Sequence, residues 1–206
     1  MSSVINNHHQ ATTFLAAIDA DWAQLINTVG VCTFAPELAE TPYESLVGAI
    51  ASQQLNLKAA AAIMAKLSGL FGNQFPTPEQ LMAASFDDLR SCGFSGRKIE
   101  TIQAIAIGAL TGLVPNLQAA EKLSNDELIT RLTTIKGIGR WTVEMFLMFT
   151  LGRTDILPVD DFAVLQGYKR FKQLEAAPKP KEMAQIGLAW QPHRTVASWY
   201  LWRVPK

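Results

Sequence analysis

Two short stretches hold the residue types and spacing that could do chemistry. The first is Gly137-Ile138-Gly139, flanked by Lys136 and Arg140. Two glycines around one apolar residue let a backbone approach a phosphate with no Cβ atoms in the way. The residues that follow are helical by pattern, so the N–H groups of the turn fall at a helix N-terminus, where orphan donors and the dipole attract an anion. Lys136 and Arg140 add mobile positive charge. The second stretch is the corner Pro158-Val159-Asp160-Asp161. Either aspartate can cap the next helix, and from that stretch alone capping is the favoured reading. A carboxylate so placed also suits the stabilisation of a developing cation.

Weaker candidates lie elsewhere. Gln53 and Gln54 interrupt two alanine-rich apolar helices, so they either face solvent or reach a hydrogen-bonding partner at a cleft. Arg97 and Lys98 stand in the first turn of a helix, where the dipole favours acids; an external anion would account for them, as would an ordinary solvated pair. His193 has no partner for a triad or a metal set, and His8 and His9 lie in a polar stretch expected to fray. Cys32 and Cys92 are too few for a disulfide framework or a four-thiolate cluster and read as buried thiols.

The elements that must position these groups read as helices. Thr12 or Thr13 can start a helix carrying Phe14, Ile18, Trp22 and Leu25. Thr41-Pro42-Tyr43-Glu44, Thr77-Pro78-Glu79-Gln80 and Ser124-Asn125-Asp126-Glu127 are capping boxes. After the glycine turn, Trp141, Met145 and Met148 follow at helical spacing, with Val143, Phe146 and Leu147 filling the other faces, so that helix is expected to be buried. No alternating strand pattern occurs. The fold class is therefore all-α, with about ten helices. The domain layout is a frayed tail over 1–10 and one helical domain over 11–206.

Composition bounds the function. Of 206 residues, 49% are hydrophobic and 17% charged, enough for a sizeable core. The net charge is zero, yet residues 1–130 carry six Lys/Arg against twelve Asp/Glu, and residues 131–206 twelve against six. The half holding the glycine turn is the basic half, which hints at a nucleic-acid face. With no signal-peptide pattern and no membrane-length apolar run, a soluble cytoplasmic protein is expected.

Four motifs in order resemble one family. Residues 132–142 (LTTIKGIGRWT), the corner 157–161 (LPVDD), the earlier Gln53-Gln54-Leu55 and the closing Trp190-x-Pro-x-Arg-x-x-Ala are similar to the helix-hairpin-helix, Gly-Pro-Asp superfamily of DNA glycosylases, most of all its 3-methyladenine type. The likeness spans about residues 41–202. It implies a two-lobed helical fold with the active site in the cleft between lobes and no separate β domain. It makes Asp161, twenty positions past Trp141, the catalytic carboxylate, with Asp160 as second choice. Trp141, Trp202 and Met145 become the base pocket. Gln54, with Gln53 beside it, becomes the wedge into the duplex, and Lys136, Gly137, Ile138, Gly139, Arg140 and Thr142, with Arg97 and Lys98, become DNA contacts. Carbonyls of Thr133, Ile135 and Ile138 match those that hold a structural monovalent cation, Na or K, in relatives; no other cofactor is required.

Members that also cut the backbone carry a lysine where this chain has Trp141, so the resemblance implies a monofunctional glycosylase of base excision repair. It would release alkylated purines from double-stranded DNA and leave an abasic site, as a monomer in the bacterial cytoplasm or nucleoid, away from membranes. The alternatives are a non-catalytic helix-hairpin-helix DNA-binding protein and a glycosylase for deaminated or oxidised bases.

Overall fold

The computed structural model describes residues 2–36 and 41–205, with side chains from His8 onward apart from Leu57. Among the described residues there is no strand. The elements are α1 (Ser2–Ala16), α2 (Ala20–Val29), α3 (Pro42–Ser52), α4 (Leu57–Leu70), α5 (Pro78–Ala83), α6 (Phe86–Cys92), α7 (Gly96–Leu110), α8 (Leu117–Lys122), α9 (Asn125–Leu132), α10 (Arg140–Phe149), α11 (Phe162–Phe171), α12 (Pro180–Ile186) and α13 (Arg194–Leu201), with a 3₁₀ turn at Gly187–Trp190 before α13. None is long and apolar enough to cross a membrane.

Side-chain caps set most of the starts. Thr41, Thr77 and Ser124 form capping boxes with Glu44, Gln80 and Glu127. Asp19, Asn56, Ser85, Ser95, Asn116 and Asp161 each accept an N–H from the first turn of the helix they precede. Each such cap stabilises its helix by about 1 kcal/mol. Every helix from α2 to α11 is capped this way except α10, whose N-cap is Gly139.

The chain folds as two units. One combines Met1–Pro36 with Gly152–Lys206, and the other is Glu37–Leu151. In the first, Trp22 packs edge-on against Trp190 with centroids 5.3 Å apart, over buried Leu15, Val164 and Tyr200. In the second, Leu46 and Ile50 of α3 lie with Ile99, Ile102, Leu132 and Phe146 in the core.

Three expectations need correction. Residues 2–10, expected as a frayed tail, lie within the helix Ser2–Ala16; Met1 lies outside the described residues. Thr12 and Thr13 sit inside α1, where the Thr12 hydroxyl donates back to the His8 carbonyl at 2.7 Å, and Trp22 belongs to a separate helix started by Asp19. Counted by folded unit, the charge asymmetry also fades. The discontinuous unit has nine Lys/Arg against seven Asp/Glu and the continuous one nine against eleven. The acidic and basic halves of the sequence are cut differently by the fold, because the first 36 residues bring two aspartates to the unit that holds the basic C-terminal segment.

Candidate functional site

Asp161 ends a fixed corner. Its N–H donates to the Pro158 carbonyl at 3.0 Å, and its Oδ1 accepts the Val164 N–H at 2.8 Å, making it the N-cap of α11. The same Oδ1 accepts the indole N–H of Trp202 at 3.0 Å. Two donors converging on one oxygen fix the carboxylate plane, and the positive end of the α11 dipole lies behind it. Capping and presentation are thus compatible roles of one side chain. Asp160 is exposed and takes no part in the cap. Phe162, the first residue of α11, is 76% exposed.

Helix α13 brings Trp202 to that place. Arg194 holds Asp155 through two parallel bonds, Nε to Oδ1 at 2.6 Å and Nη2 to Oδ2 at 2.8 Å. Buried Thr195 takes the Ile156 N–H on its hydroxyl at 3.1 Å and donates to the Arg153 carbonyl at 2.7 Å. These bonds lash the segment before Pro158 to the start of α13. At the other end, a Cβ on Gly167 of α11 would overlap the Leu201 carbonyl, so only glycine lets α11 and α13 approach this closely. The closing motif noted in the sequence therefore works as a frame: Arg194 and Trp190 are anchors, and Trp202 is the group delivered. Its bond to Asp161 had no signal in the sequence, because 41 residues separate the two.

In the continuous unit, the glycine turn joins α9 to α10. Gly137 has φ +94, and a Cβ there would run into the side chain of Thr101 on α7; here glycine is required twice. Gly139 differs: its φ is −94 and nothing lies within 4 Å of where its Cβ would stand. Gly139 thus puts no side chain over the N-terminus of α10, where the helix dipole favours an anion. Ile138 is buried and contributes backbone only. Lys136 is 87% exposed and pairs with Glu100 at 2.9 Å, a surface contact weak enough to exchange for a phosphate. Arg140, expected to be mobile, is held by buried Glu144, Nε to Oε1 at 2.9 Å. Trp141 is 39% exposed, a correction to the expectation of a fully buried helix, and Met145, one turn on, is half-buried.

Two further sequence assignments change. Thr142 is buried and accepts a long hydrogen bond from Gln53 Nε2, 3.5 Å, on its hydroxyl, so its side chain is packed inside and not offered to DNA. Lys98 does not stand in solvent as an anion receptor; its ammonium donates to the carbonyls of Ala51 and Gln53, both at 2.8 Å. Arg97 is exposed, and so is Gln54, at φ +58.

The histidine and cysteine side chains take no part in the hydrogen bonds above. His8 is edge-on to Phe34 at 6.2 Å, and burial lowers its imidazole below the usual range. His193 is edge-on to Phe14 at 5.1 Å, and His8 and His193 line a cavity of about 160 Å³ with Arg153 and Thr195 in the wall. Both cysteines are buried free thiols, raised by desolvation. Among the described residues no three His, Cys, Asp or Glu side chains cluster as a metal site. The carbonyl end of α9, at Thr133, and the turn after it, where Ile135 accepts the Ile138 N–H at 3.0 Å, offer neutral oxygens at the negative end of a helix dipole. That donor set fits a monovalent cation and not a transition metal.

A glycine-capped hairpin and a capped, indole-braced carboxylate, on a chain whose described residues hold helices and no strand, define a class. The chain belongs to the HhH-GPD superfamily of base excision DNA repair proteins, whose pattern matches residues 47–192. It is 42% identical over 207 residues to the DNA-3-methyladenine glycosylase 1 of Schizosaccharomyces pombe, covering 98% of this chain and 90% of that one. Among solved structures, it resembles the S. pombe 3-methyladenine DNA glycosylase in complex with abasic DNA, with a TM-score of 0.86 at 43% identity, over 94% of this chain and 95% of that one. A DNA-3-methyladenine glycosidase from Bacillus halodurans gives 0.83 at 37% identity, over 94% and 88%.

Proposed function

We propose that this chain is a monofunctional DNA glycosylase that turns alkylated purines such as 3-methyladenine out of duplex DNA and hydrolyses their N-glycosidic bond. The observation that carries the reading is the Asp161 carboxylate, fixed at the start of α11 by Val164 and Trp202. A methylated purine of this kind already bears positive charge. When the C1′–N bond breaks, the base takes the bonding pair and departs neutral, so no general acid is needed. The sugar is left as an oxocarbenium-like cation. Asp161 stabilises that charge and accepts the proton of the water that adds to C1′, an electrostatic contribution of several kcal/mol in a site that excludes water.

The hairpin amides and Lys136 grip the phosphate strand, while Gln54 fills the gap left in the duplex. The indoles of Trp141 and Trp202 favour a cationic over a neutral base by cation–π attraction, at about 1 to 2 kcal/mol each. Weak pairing of damaged bases lowers the cost of extrusion. The carbonyls of Thr133, Ile135 and Ile138 would hold a monovalent cation against the hairpin, where it adds positive charge for the DNA strand. The protein acts as a monomer on duplex DNA. Incubating purified protein with methylated genomic DNA and identifying the released bases tests the proposal: free 3-methyladenine supports it. Salt-sensitive duplex binding with no base release would leave a DNA-binding protein, and release of deaminated or oxidised bases alone would move the substrate class.

A further inference from the structure

The Gln53–Gln54 segment is held in a conformation that its own residues do not favour. Gln54 is a non-glycine residue at φ +58, a left-handed geometry that costs on the order of 1 kcal/mol, and its side chain is exposed. Helix α3 ends at Ser52 without a glycine to turn the chain; local N–H groups reach the Ile50 and Ser52 carbonyls, and that of Ala51 needs an outside donor. One side chain from another helix meets that need, and a second holds the Gln53 side chain. Lys98, in the first turn of α7, reaches across 45 residues to place its ammonium on the carbonyls of Ala51 and Gln53. Ala51 is fully buried, so that carbonyl has no recourse to water. Thr142, in the first turn of α10, accepts from the Gln53 side-chain amide, Nε2, at 3.5 Å. Past the loop, Asn56 caps α4 and fixes the exit.

We infer that Lys98 and Thr142 are positioning residues that clamp the loop before Gln54, so that its strained backbone aims an exposed side chain at the duplex, without touching DNA themselves. This rests on the reading above that Gln54 enters the duplex. A lysine placed for phosphate contact would have to abandon two carbonyls, one of them buried, which opposes that role. The positive charge sits at the C-terminal end of α3, where the helix dipole favours it.

The test compares Lys98→Met, Thr142→Val, Gln54→Ala and the double variant Lys98→Met/Gln54→Ala with the unsubstituted protein. Each is saturated with a duplex carrying 2-aminopurine next to an abasic-site analogue, and base unstacking is read as fluorescence. That readout needs no glycosylase activity, so a failure of the proposed reaction would show separately as absent base release by the unsubstituted protein. The fluorescence gain is expected to fall severalfold in each single variant and no further in the double variant, with the salt dependence of duplex affinity unchanged. On duplexes with 7-methylguanine opposite cytosine or opposite an abasic-site analogue, Lys98→Met is expected to slow release about tenfold in the first and under about twofold in the second, where extrusion costs less. A log–log salt slope smaller by about one, with equal losses in both contexts, would make Lys98 a phosphate contact and overturn the inference. Full unstacking by Thr142→Val and Lys98→Met would overturn it too. Should Lys98→Met not fold, Thr142→Val alone decides.

Discussion

The indole N–H of Trp202 and the backbone N–H of Val164 meet on the same carboxylate oxygen of Asp161, at 3.0 and 2.8 Å. One donor comes from the end of α13 and the other from the first turn of α11, so the orientation of the carboxylate is tied to the packing of those two helices. That packing depends on Gly167 lying against the Leu201 carbonyl. The orientation of the Asp161 carboxylate is therefore coupled to a backbone contact that carries no functional group.

Asp161→Asn separates the capping role of the residue from the proposed catalytic one. Asparagine caps a helix about as well as aspartate and still offers an oxygen to Trp202, so thermal stability should stay within about 0.5 kcal/mol. Base release should be lost, because the amide carries no charge to set against the sugar cation. Asp161→Ala should lose activity and also about 1 kcal/mol of stability. Calorimetry beside a base-release assay distinguishes these outcomes; full activity in Asp161→Asn would remove the carboxylate from the mechanism.

Trp202→Phe keeps a flat ring and deletes the N–H. A hydrogen bond to a charged group contributes about 1.5 to 3 kcal/mol, so the single-turnover rate should fall between tenfold and a hundredfold, while the substrate concentration giving half-maximal rate changes little. If instead affinity drops and the rate constant holds, Trp202 acts on the base alone.

The two hairpin glycines should respond differently to alanine. At Gly137 the positive φ and the Thr101 side chain both oppose a methyl group, so stability should fall by about 1 to 3 kcal/mol. At Gly139 the added methyl meets open space, and melting temperature should hold. Duplex affinity should nonetheless fall about tenfold, because the methyl stands between the α10 amides and an approaching phosphate. Titration of a fluorescent duplex against both variants measures the contrast; unchanged affinity in Gly139→Ala would take the hairpin off the DNA.

A pH signature should come from Lys172, which bonds Asp19 at 2.7 Å and Asp21 at 2.5 Å. Burial works against the charge of Asp19, but the bonds from Lys172 and the Trp22 amide hold its carboxyl below the ordinary carboxylate value. Burial likewise opposes the charge of Lys172, and its bonds to the two aspartates outweigh this and raise it. A lowered carboxyl contributes stability above its unfolded pKa, near 3.9, that is lost as pH falls through the folded value. A raised ammonium contributes stability below about 10.4 that is lost as pH rises through the folded value. Lys172→Met should flatten both limbs of the melting temperature against pH. A profile identical to that of the unsubstituted protein would show that the pair contributes nothing.

Much of the fold was legible before the structure. Capping boxes at Thr41, Thr77 and Ser124 fall where the sequence places them, because a cap is a local exchange of hydrogen bonds over four residues. The start of α7, with Arg97 and Lys98 in its first turn, and the cap at Asp161 are legible for the same reason. The first two helices are not: Thr12 resembles a cap, and only the continuous backbone bonding of Ser2–Ala16 shows that it lies mid-helix. Lys98 and Arg97 are neighbours of like charge with one local signal between them, yet one is exposed and the other serves two carbonyls 45 and 47 residues earlier.

The sequence by itself determined the helical class, the glycine turn before α10 and the aspartate at the start of α11, since propensity, capping and steric freedom act over a few residues. Tertiary structure alone decided that Trp202 braces Asp161, that Thr142 and Lys98 face inward onto the Gln54 loop, and that the first 36 residues join the last 55 in one unit. Those relations depend on which distant side chains close packing brings within hydrogen-bond reach, and no local pattern in the chain encodes that distance.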